Sequence, residues 1–496
     1  MSSHKSIFKT SLITGGSQVM VMMMNMVRAK ALAILLGPAG TGIIGLYSTT
    51  TDLINTIAGL GLTSSAVKQI AIANSEADRS SIQKTLFVFR WLIRLTTITA
   101  ALCMFIFAGY ISLHTFGSEN NKQGIQWMSL VVFFTGISNG QFALLQGLRR
   151  IKDLATARVL GALAGSIICI TLIFFFRKEG IVPFLIAGAA TTVLLSWSFA
   201  QKEKITTIKV DFTEFKKRSV ELISMGLAFL FSGLSISISA YYSRILISKS
   251  FSIHDLGLYT ASWTLSAMYV NFILTAMGAD FYPRLSGVIE DHDKANKIVN
   301  EQTEIGIAMA VTGIVGVISF SAIILRAFYS IQFADAWRLL QWMTAGMAIK
   351  VISWPLGFIV VSKGKAKLFA LLEISWGFIY IILLYFFTQW MGLEGAGVAF
   401  FITYLINWVF VWFSARHLTH FNWNIAVRKQ ILWMVAAIVL VFISSRLLTD
   451  LWSNIFNGLI IILVFWFTYR KLETILGGNF INLLIKKTGL KKNGQH

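Results

Sequence analysis

The feature that most constrains this chain is a succession of long apolar segments joined by short polar connections. A transmembrane helix needs about 20 consecutive apolar residues, and about fourteen segments approach or exceed that length. Hydrophobic residues make up 56% of the 496-residue chain and charged residues only 13%, against about a quarter charged in soluble domains. The sequence therefore predicts an all-α polytopic membrane protein. The segments lie near residues 10–36, 42–66, 85–110, 124–147, 155–176, 181–200, 220–247, 256–282, 300–328, 337–362, 368–389, 395–415, 430–448 and 453–469.

The distribution of Lys and Arg between the connections tests this order of segments. Cytoplasmic loops of membrane proteins carry an excess of both residues. If the N-terminus is cytoplasmic, the inside connections and ends hold 30 of the 43 Lys and Arg, the outside loops hold 8, and 5 lie within segments. This bias predicts that both termini lie in the cytoplasm.

The net charge of +21 has the same explanation. Basic loops beside a membrane fix its topology and contact anionic lipid headgroups, so we expect membrane lipids, and no nucleic acid, as partners. Cys103 and Cys169 both lie in apolar segments, which argues against a disulfide framework.

Weak internal similarity indicates two related halves. Gly45-Leu46-Tyr47 recurs as Gly257-Leu258-Tyr259, and Glu179-Gly180 recurs as Glu394-Gly395, with offsets of 212 and 215 residues. Six spans per copy would give both copies the same orientation. We therefore predict two pseudo-symmetric six-helix lobes with substrate bound between them. The predicted parts are an N-terminal lobe (1–200), a basic cytoplasmic linker (201–218), a C-terminal lobe (219–416), and two extra helices with a basic cytoplasmic tail (417–496).

Charged residues inside the apolar segments are the candidate functional residues. Arg28 and Lys30 lie in the first segment and Asp52 in the second, on either side of a Gly-Pro corner. A charge near the bilayer midplane costs about 2.5–3.5 kcal/mol and persists where it faces a cavity or a partner. We interpret Arg28 and Lys30 as cavity cations; structural pairing with Asp52 is the alternative.

Further cations lie in later segments. Arg90 and Arg94 are four residues apart and share a helix face, where a ligand phosphate would relieve their repulsion; the alternative is that both extend to the membrane surface. Lys350 is deep in its segment, and we interpret it as a further cation that binds the substrate. Arg244 is a minor candidate for the same role and is more simply interpreted as a residue of the membrane–water interface.

Two acidic residues receive structural interpretations. We expect Asp280 and Arg284 to pair with each other or with lipid headgroups, and Glu373 to compensate the charge of the basic loop Lys363–Lys367. Because Arg binds phosphate oxygens in bidentate fashion, the excess of membrane-embedded cations favours an anionic, diphosphate-containing ligand.

Three stretches carry a resemblance to a known family. The GPAG corner (37–40), TDLINTIAGLGL (51–62) and QWMTAGMAIKVISWPLGFIVVSKGKAKLFALLE (341–373) resemble Wzx-type polysaccharide lipid flippases of the multidrug/oligosaccharidyl-lipid/polysaccharide exporter superfamily. The resemblance covers roughly the first twelve spans. It implies alternating access and a cargo of undecaprenyl-diphosphate-linked oligosaccharide, such as the O-antigen repeat unit. It also implies the polysaccharide polymerase and chain-length machinery as partners.

The chain departs from the family pattern at one point. Lipid III-type flippases have an acidic residue three positions before the lysine that matches Lys350, whereas this chain has Met347. Asp52 is therefore the candidate for ion coupling.

The alternatives are an ion-coupled drug or metabolite antiporter of the superfamily, a peptidoglycan lipid-precursor flippase, and a membrane-embedded glycan polymerase or acyltransferase. The cationic bias argues against the antiporter, the first-hairpin motif against the peptidoglycan branch, and the short outside loops against an enzyme. Residues 40–45 fit G-x-G-x-x-G but lack the flanking strand of a nucleotide site. We expect no cofactor, no catalytic residues and no metal site.

Overall fold

The computed structural model describes residues 3–76, 78–202 and 210–476, and within these ranges it contains helices and no strands. Three short 3₁₀ turns (Glu119–Asn121, Arg177–Gly180 and Ile331–Ala336) join some of the helices. The helices are α1 (Ser3–Gly59), α2 (Leu62–Ser75), α3 (Arg79–Ile106), α4 (Ala108–Phe116), α5 (Lys122–Gly147), α6 (Ile151–Phe176), α7 (Ile181–Ala200), α8 (Phe212–Ser250), α9 (Ile253–Ser286), α10 (His292–Ser319), α11 (Ser321–Phe328), α12 (Trp337–Ser362), α13 (Ala366–Met391), α14 (Glu394–Thr419), α15 (Ile425–Leu447) and α16 (Asp450–Leu476).

Polar residues mark where several long helices begin. The side chain of Asp78 accepts a hydrogen bond from the backbone N–H of Ser81, which caps α3. Asp211, Asp291 and Asn424 cap α8, α10 and α15 in the same way. Each cap satisfies an amide that the first helical turn leaves without a partner. The helices therefore start in the polar connections, and their apolar stretches follow.

The predicted number of fourteen spans is not confirmed. Ten of the described helical stretches are long and apolar enough to cross a membrane, and eleven if the bent α8 is included. Two of the ten are unusually long: Gly15–Gly59 has 45 residues and Ile151–Ala200 has 50. At 1.5 Å per residue, each measures roughly twice the 30 Å of a hydrocarbon core, so each contains two of the segments that we counted separately.

Two compact units divide the described chain. The first comprises Met1–Thr260 with Arg326–Phe333, and the second comprises Ala261–Leu325 with Ala334–His496. In the first unit, α8 packs against α1, α2 and α3. The lobe and linker boundaries drawn from the sequence remain predictions, and residues 203–209 of the linker and 477–496 of the tail lie outside the described residues.

Three glycines allow two close backbone approaches within the first unit. A Cβ on Gly61 would lie 1.9 Å from the carbonyl oxygen of Gly226, and one on Gly226 would lie 2.4 Å from that of Leu60. A Cβ on Gly257 would lie 1.9 Å from the carbonyl oxygen of Pro38. Because a Cβ atom would overlap these oxygens, only glycine allows such close packing of helices. Residues 38–59 of α1 are thus held at both ends.

In the second unit, glycines also allow α12 and α14 to pack closely. A Cβ on Gly346 would lie 2.7 Å from the Phe400 ring, and one on Gly397 would lie 2.7 Å from Cβ of Trp342. Phe400 is fully buried beside Trp376, Tyr380 and other aromatic rings. This aromatic core fixes α12, the helix that carries Lys350.

Candidate functional site

The apolar stretch that contains Arg28 and Lys30 ends at a backbone break. Gly37 has φ +67°, outside the helical region, and separates residues 3–36 from residues 38–59 of α1. The Thr41 hydroxyl donates to the Gly37 carbonyl oxygen over 3.1 Å. A left-handed φ favours glycine. Proline fits the first turn of the next helical segment, because backbone amides in a first turn have no acceptor within the helix. The Gly-Pro corner is therefore where the chain changes direction.

Arg28 and Lys30 make polar contacts but no described ion pair. Arg28 Nη2 donates to Asn25 Oδ1 over 3.0 Å, and Lys30 Nζ donates to the carbonyl oxygen of Arg326 over 2.8 Å. Within the part of the chain that the structure describes, neither side chain pairs with Asp52. The structural-pair alternative is therefore wrong, and both charges are available to an anion.

Arg244 is the cation that acts on Asp52. Its charge reaches the Asp52 carboxylate, and its guanidinium carbon lies 6.0 Å from the Tyr259 ring centroid. Arg244 Nη1 donates to the carbonyl oxygen of Ala240 over 2.9 Å. Only 8% of the residue is exposed, so the expectation of an interface residue is wrong. Arg244 lies buried inside the first unit, beside residues 38–59 of α1.

A polar pocket of about 430 Å³ surrounds Asp52. It is formed at the end of α1 and the start of α2, with contributions from α5 and α8. Thr56 Oγ1 lies 2.9 Å from Ser237 Oγ and donates to the carbonyl oxygen of Asp52 over 2.8 Å. The Thr56–Ser237 contact joins α1 to α8 beside the Gly61–Gly226 approach. Asp52 could be identified from the sequence as a charged residue in an apolar segment. The sequence does not show that Thr135 and Asn139 of α5 and Ser237 of α8 line the same pocket.

Arg90 and Arg94 lie one turn apart on α3, as the spacing predicts. Their charges repel one another, and neither side chain has a hydrogen bond or an ion pair within residues 3–76, 78–202 and 210–476. Arg90 is half-buried and Arg94 is exposed. Like charges at this spacing destabilise a helix by a few tenths of a kcal/mol, and a bound anion would remove that cost.

Lys350 lies inside the second unit with one hydrogen bond and one nearby acid. Its ammonium donates to Asn271 Oδ1 of α9 over 3.0 Å, and the Glu373 carboxylate of α13 acts on its charge. The sequence pattern does not identify Asn271, and it predicts a different partner for Glu373. Glu290 is the carboxylate that pairs with the basic loop Lys363–Lys367. Lys363 Nζ donates to Glu290 Oε2 over 2.9 Å, and this hydrogen bond lowers the pKa of the Glu290 carboxyl.

The expected pairing of Asp280 with Arg284 is confirmed. Arg284 Nη1 lies 3.3 Å from Asp280 Oδ2, one helical turn away on α9. Both side chains are exposed, so the pair contributes little to stability. It belongs to the helix end rather than to a binding site.

An apolar groove of about 710 Å³ lies between α10, α15 and α16 in the second unit. Its walls carry side chains such as Val311, Trp433 and Phe467. Lys429 and Lys471 are its basic residues, and Lys471 Nζ lies 2.5 Å from Glu304 Oε1. A long apolar groove with basic groups among its lining suits an amphiphile with a hydrocarbon chain and an anionic head.

Curated relatives share most of the chain at low identity. The lipid III flippase of Escherichia coli (strain K12) is 22% identical over 416 residues, which cover 81% of this chain and 96% of that protein. A putative O-antigen transporter of Shigella flexneri is 22% identical over 384 residues, or 75% of this chain and 88% of that protein. These relatives are flippases or transporters, not enzymes.

Solved structures of transporters share the fold. A lipid II flippase in an inward-closed conformation aligns with a TM-score of 0.68 at 16% identity, covering 95% of this chain and 99% of that chain. An inward-facing multidrug resistance transporter aligns with the same TM-score at 15% identity, covering 83% and 99%. The predicted all-helical exporter fold is thus confirmed.

The family model described as polysaccharide biosynthesis protein matches residues 7–289. This match covers more than half of the chain, including nearly all of α1 and the whole of α2 to α9. With its apolar helices and its flippase relatives, the chain is a multi-pass membrane protein that belongs to the polysaccharide biosynthesis protein family.

Proposed function

We propose that the chain moves undecaprenyl-diphosphate-linked oligosaccharide, an O-antigen or related surface-polysaccharide repeat unit, from the cytoplasmic to the periplasmic leaflet of the bacterial inner membrane. One observation carries the proposal: Arg28, Lys30, Arg90 and Arg94 have no carboxylate partner in the described chain. Cations in an apolar medium require compensation. A diphosphate supplies it through charge-assisted hydrogen bonds, which are about twice as strong as neutral ones.

The apolar groove supports the lipid half of this cargo. The polyprenyl chain of the carrier needs an apolar path while its diphosphate contacts cations. We propose that the groove between α10, α15 and α16 receives part of this chain, with Lys429 beside its anionic end. Inside the membrane the groove would hold this chain by van der Waals packing, because lipid tails are as apolar as the groove walls.

Transport would proceed by alternating access between the two predicted lobes, with both termini in the cytoplasm. Arg28, Lys30, Arg90, Arg94 and Lys350 would contact the diphosphate. Arg244 would act through Asp52 rather than on the cargo. The polysaccharide polymerase and chain-length machinery would receive the translocated unit.

Asp52 carries the proposal of ion coupling. Its carboxylate lines the polar pocket, where it can gain and lose a proton. An Asp52→Asn variant should bind cargo but lose any dependence of transport on a proton gradient, measured in liposomes with and without a pH difference. The same gradient dependence in Asp52→Asn and wild type would remove this role.

Complementation of a deletion strain tests the proposed function. Arg28→Ala and Lys350→Ala should abolish surface polysaccharide on gels while the amount of protein in the membrane stays normal. Lys365→Ala is the matched control, because Lys365 is an exposed cation whose side chain makes no described contact. Normal polysaccharide in both cavity variants would remove the phosphate-binding role. A change in drug sensitivity alone would favour the antiporter.

A further inference from the structure

The polar pocket around Asp52 has a lining unlike that of a phosphate site. Its lining includes Asp52, Asn55, Thr56, Thr135, Asn139 and Ser237, and no basic side chain contributes to it. Asp52 is the sole charged residue of this lining. A carboxylate repels a diphosphate, so this pocket must serve a different part of the cargo from the unpaired cations.

Several polar groups of the pocket have no partner in the protein. Thr56 is engaged by Ser237 and by the Asp52 carbonyl oxygen. By contrast, the side chains of Asn55, Asn139 and Thr135 make no hydrogen bond to any residue that the structure describes. A carboxamide offers two donors and an acceptor. Two free carboxamides and a hydroxyl, all lining one cavity, match the mixed donors and acceptors of a polyhydroxylated ring.

The volume of the pocket and the charge of its lining further restrict the kind of ligand that it can bind. The pocket of about 430 Å³ lies within the range of about 300–1,000 Å³ found for small-molecule sites, and is far larger than the roughly 30 Å³ of one water molecule. A lone metal ion would leave most of it to solvent. Asp52 is the sole charged residue of the lining and no basic side chain lies there to bind an anionic group. An uncharged, hydroxyl-rich ligand fits these properties best.

We propose that this pocket is a sugar subsite, in which Asn55 and Asn139 hydrogen-bond to an uncharged sugar residue of the lipid-linked oligosaccharide. This subsite rests on the proposed function, and it assigns to Asn55 and Asn139 the binding of the glycan rather than of the diphosphate. The pocket adjoins the Gly61–Gly226 approach and the Thr56–Ser237 contact between α1 and α8. A sugar bound there would touch both helices.

Equilibrium binding to the purified chain in detergent tests this subsite. The probes are undecaprenyl diphosphate carrying the complete repeat unit of the host, and undecaprenyl diphosphate without sugars. The Asn55→Leu/Asn139→Leu double variant should bind the sugar-bearing lipid about tenfold more weakly than wild type, the loss expected for two hydrogen bonds. Its affinity for the sugar-free lipid should stay within twofold of wild type. Asn74→Leu, on an exposed surface, is the matched control and should change neither affinity.

The outcomes separate the two proposals. If wild type binds neither lipid, the proposed function fails. If wild type binds both lipids and the double variant loses affinity for neither or for both equally, the sugar subsite is wrong while the diphosphate contacts stand. Arg28→Ala should weaken binding of both lipids. If exchange of sodium for choline changes wild-type affinity and Asp52→Asn removes that change, the pocket is a cation site and the sugar subsite is overturned.

Discussion

Replacement of Gly257 by alanine should destabilise the first unit through one backbone contact. The new Cβ would lie 1.9 Å from the carbonyl oxygen of Pro38 and 2.9 Å from its Cα. Since real Cβ atoms essentially never approach within 3.0 Å of another heavy atom, the two segments must separate by about 1.1 Å. No flexible side chain can absorb this movement, because the opposing atoms are backbone. Overpacking of this kind costs about 1–3 kcal/mol.

The matched control is Gly188→Ala in α7, in the same unit. A Cβ there meets no atom within 4 Å, and alanine favours a helix over glycine by about 0.5–1 kcal/mol. Heating of the purified proteins in detergent should give an apparent unfolding temperature roughly 2–12 °C lower for Gly257→Ala, at about 2–4 °C per kcal/mol. Gly188→Ala should equal or exceed wild type. Equal unfolding temperatures for the two variants would refute the close contact.

Three further predictions concern the corner, the groove and the paired charges. Gly37→Ala should destabilise the protein by about 1–2 kcal/mol, because φ +67° strains a residue with a Cβ; an unchanged unfolding temperature would contradict the left-handed corner. Ala436→Trp should fill the groove and reduce transport in liposomes about tenfold, a loss of about 1.4 kcal/mol, whereas Leu432→Trp on the same helix, outside the lining, should not. Glu304→Gln and Lys471→Met should each cost about 1–3 kcal/mol by leaving one charge unpaired, and the double variant should recover part of that cost; additive losses in a double-mutant cycle would contradict the pairing.

Composition and segment length were enough to predict the helical membrane fold. Apolar stretches of about 20 residues between charged loops have few structural solutions, because every backbone group in lipid must be satisfied within a helix. The number of spans was harder to predict, since continuous helix can join two crossings. Residues 3–59 form one helical stretch apart from the break at Gly37, and hydropathy alone does not show where it leaves the membrane.

The sequence located the charged residues but not their partners. Lys350 contacts Asn271, which lies 79 positions away, and Asp52 is influenced by Arg244 from α8 rather than by Arg28 or Lys30. Such contacts depend on how each helix is rotated about its axis. That rotation is set by packing, for example by the glycine approaches of α1, and the hydrophobic pattern of a span that is apolar on all sides does not encode it.

The polar pocket was missed for a similar reason. Asn55 lies in the stretch TDLINTIAGLGL (51–62). Asn139 and Ser237 lie in other helices, at no recognisable spacing from Asn55. Polar residues scattered singly through apolar segments look like helix-packing contacts in a sequence. Their convergence on one cavity is visible only in three dimensions.

The most direct test of the central claim is mass spectrometry of lipid-linked intermediates in a deletion strain of the native host. We expect single repeat units on undecaprenyl diphosphate to accumulate and to be inaccessible to a periplasmic glycosidase or label. The intact gene should restore the normal pool, and the Arg28→Ala variant should not. An unchanged lipid pool in the deletion strain, or accumulated units already exposed to the periplasm, would contradict a flippase function.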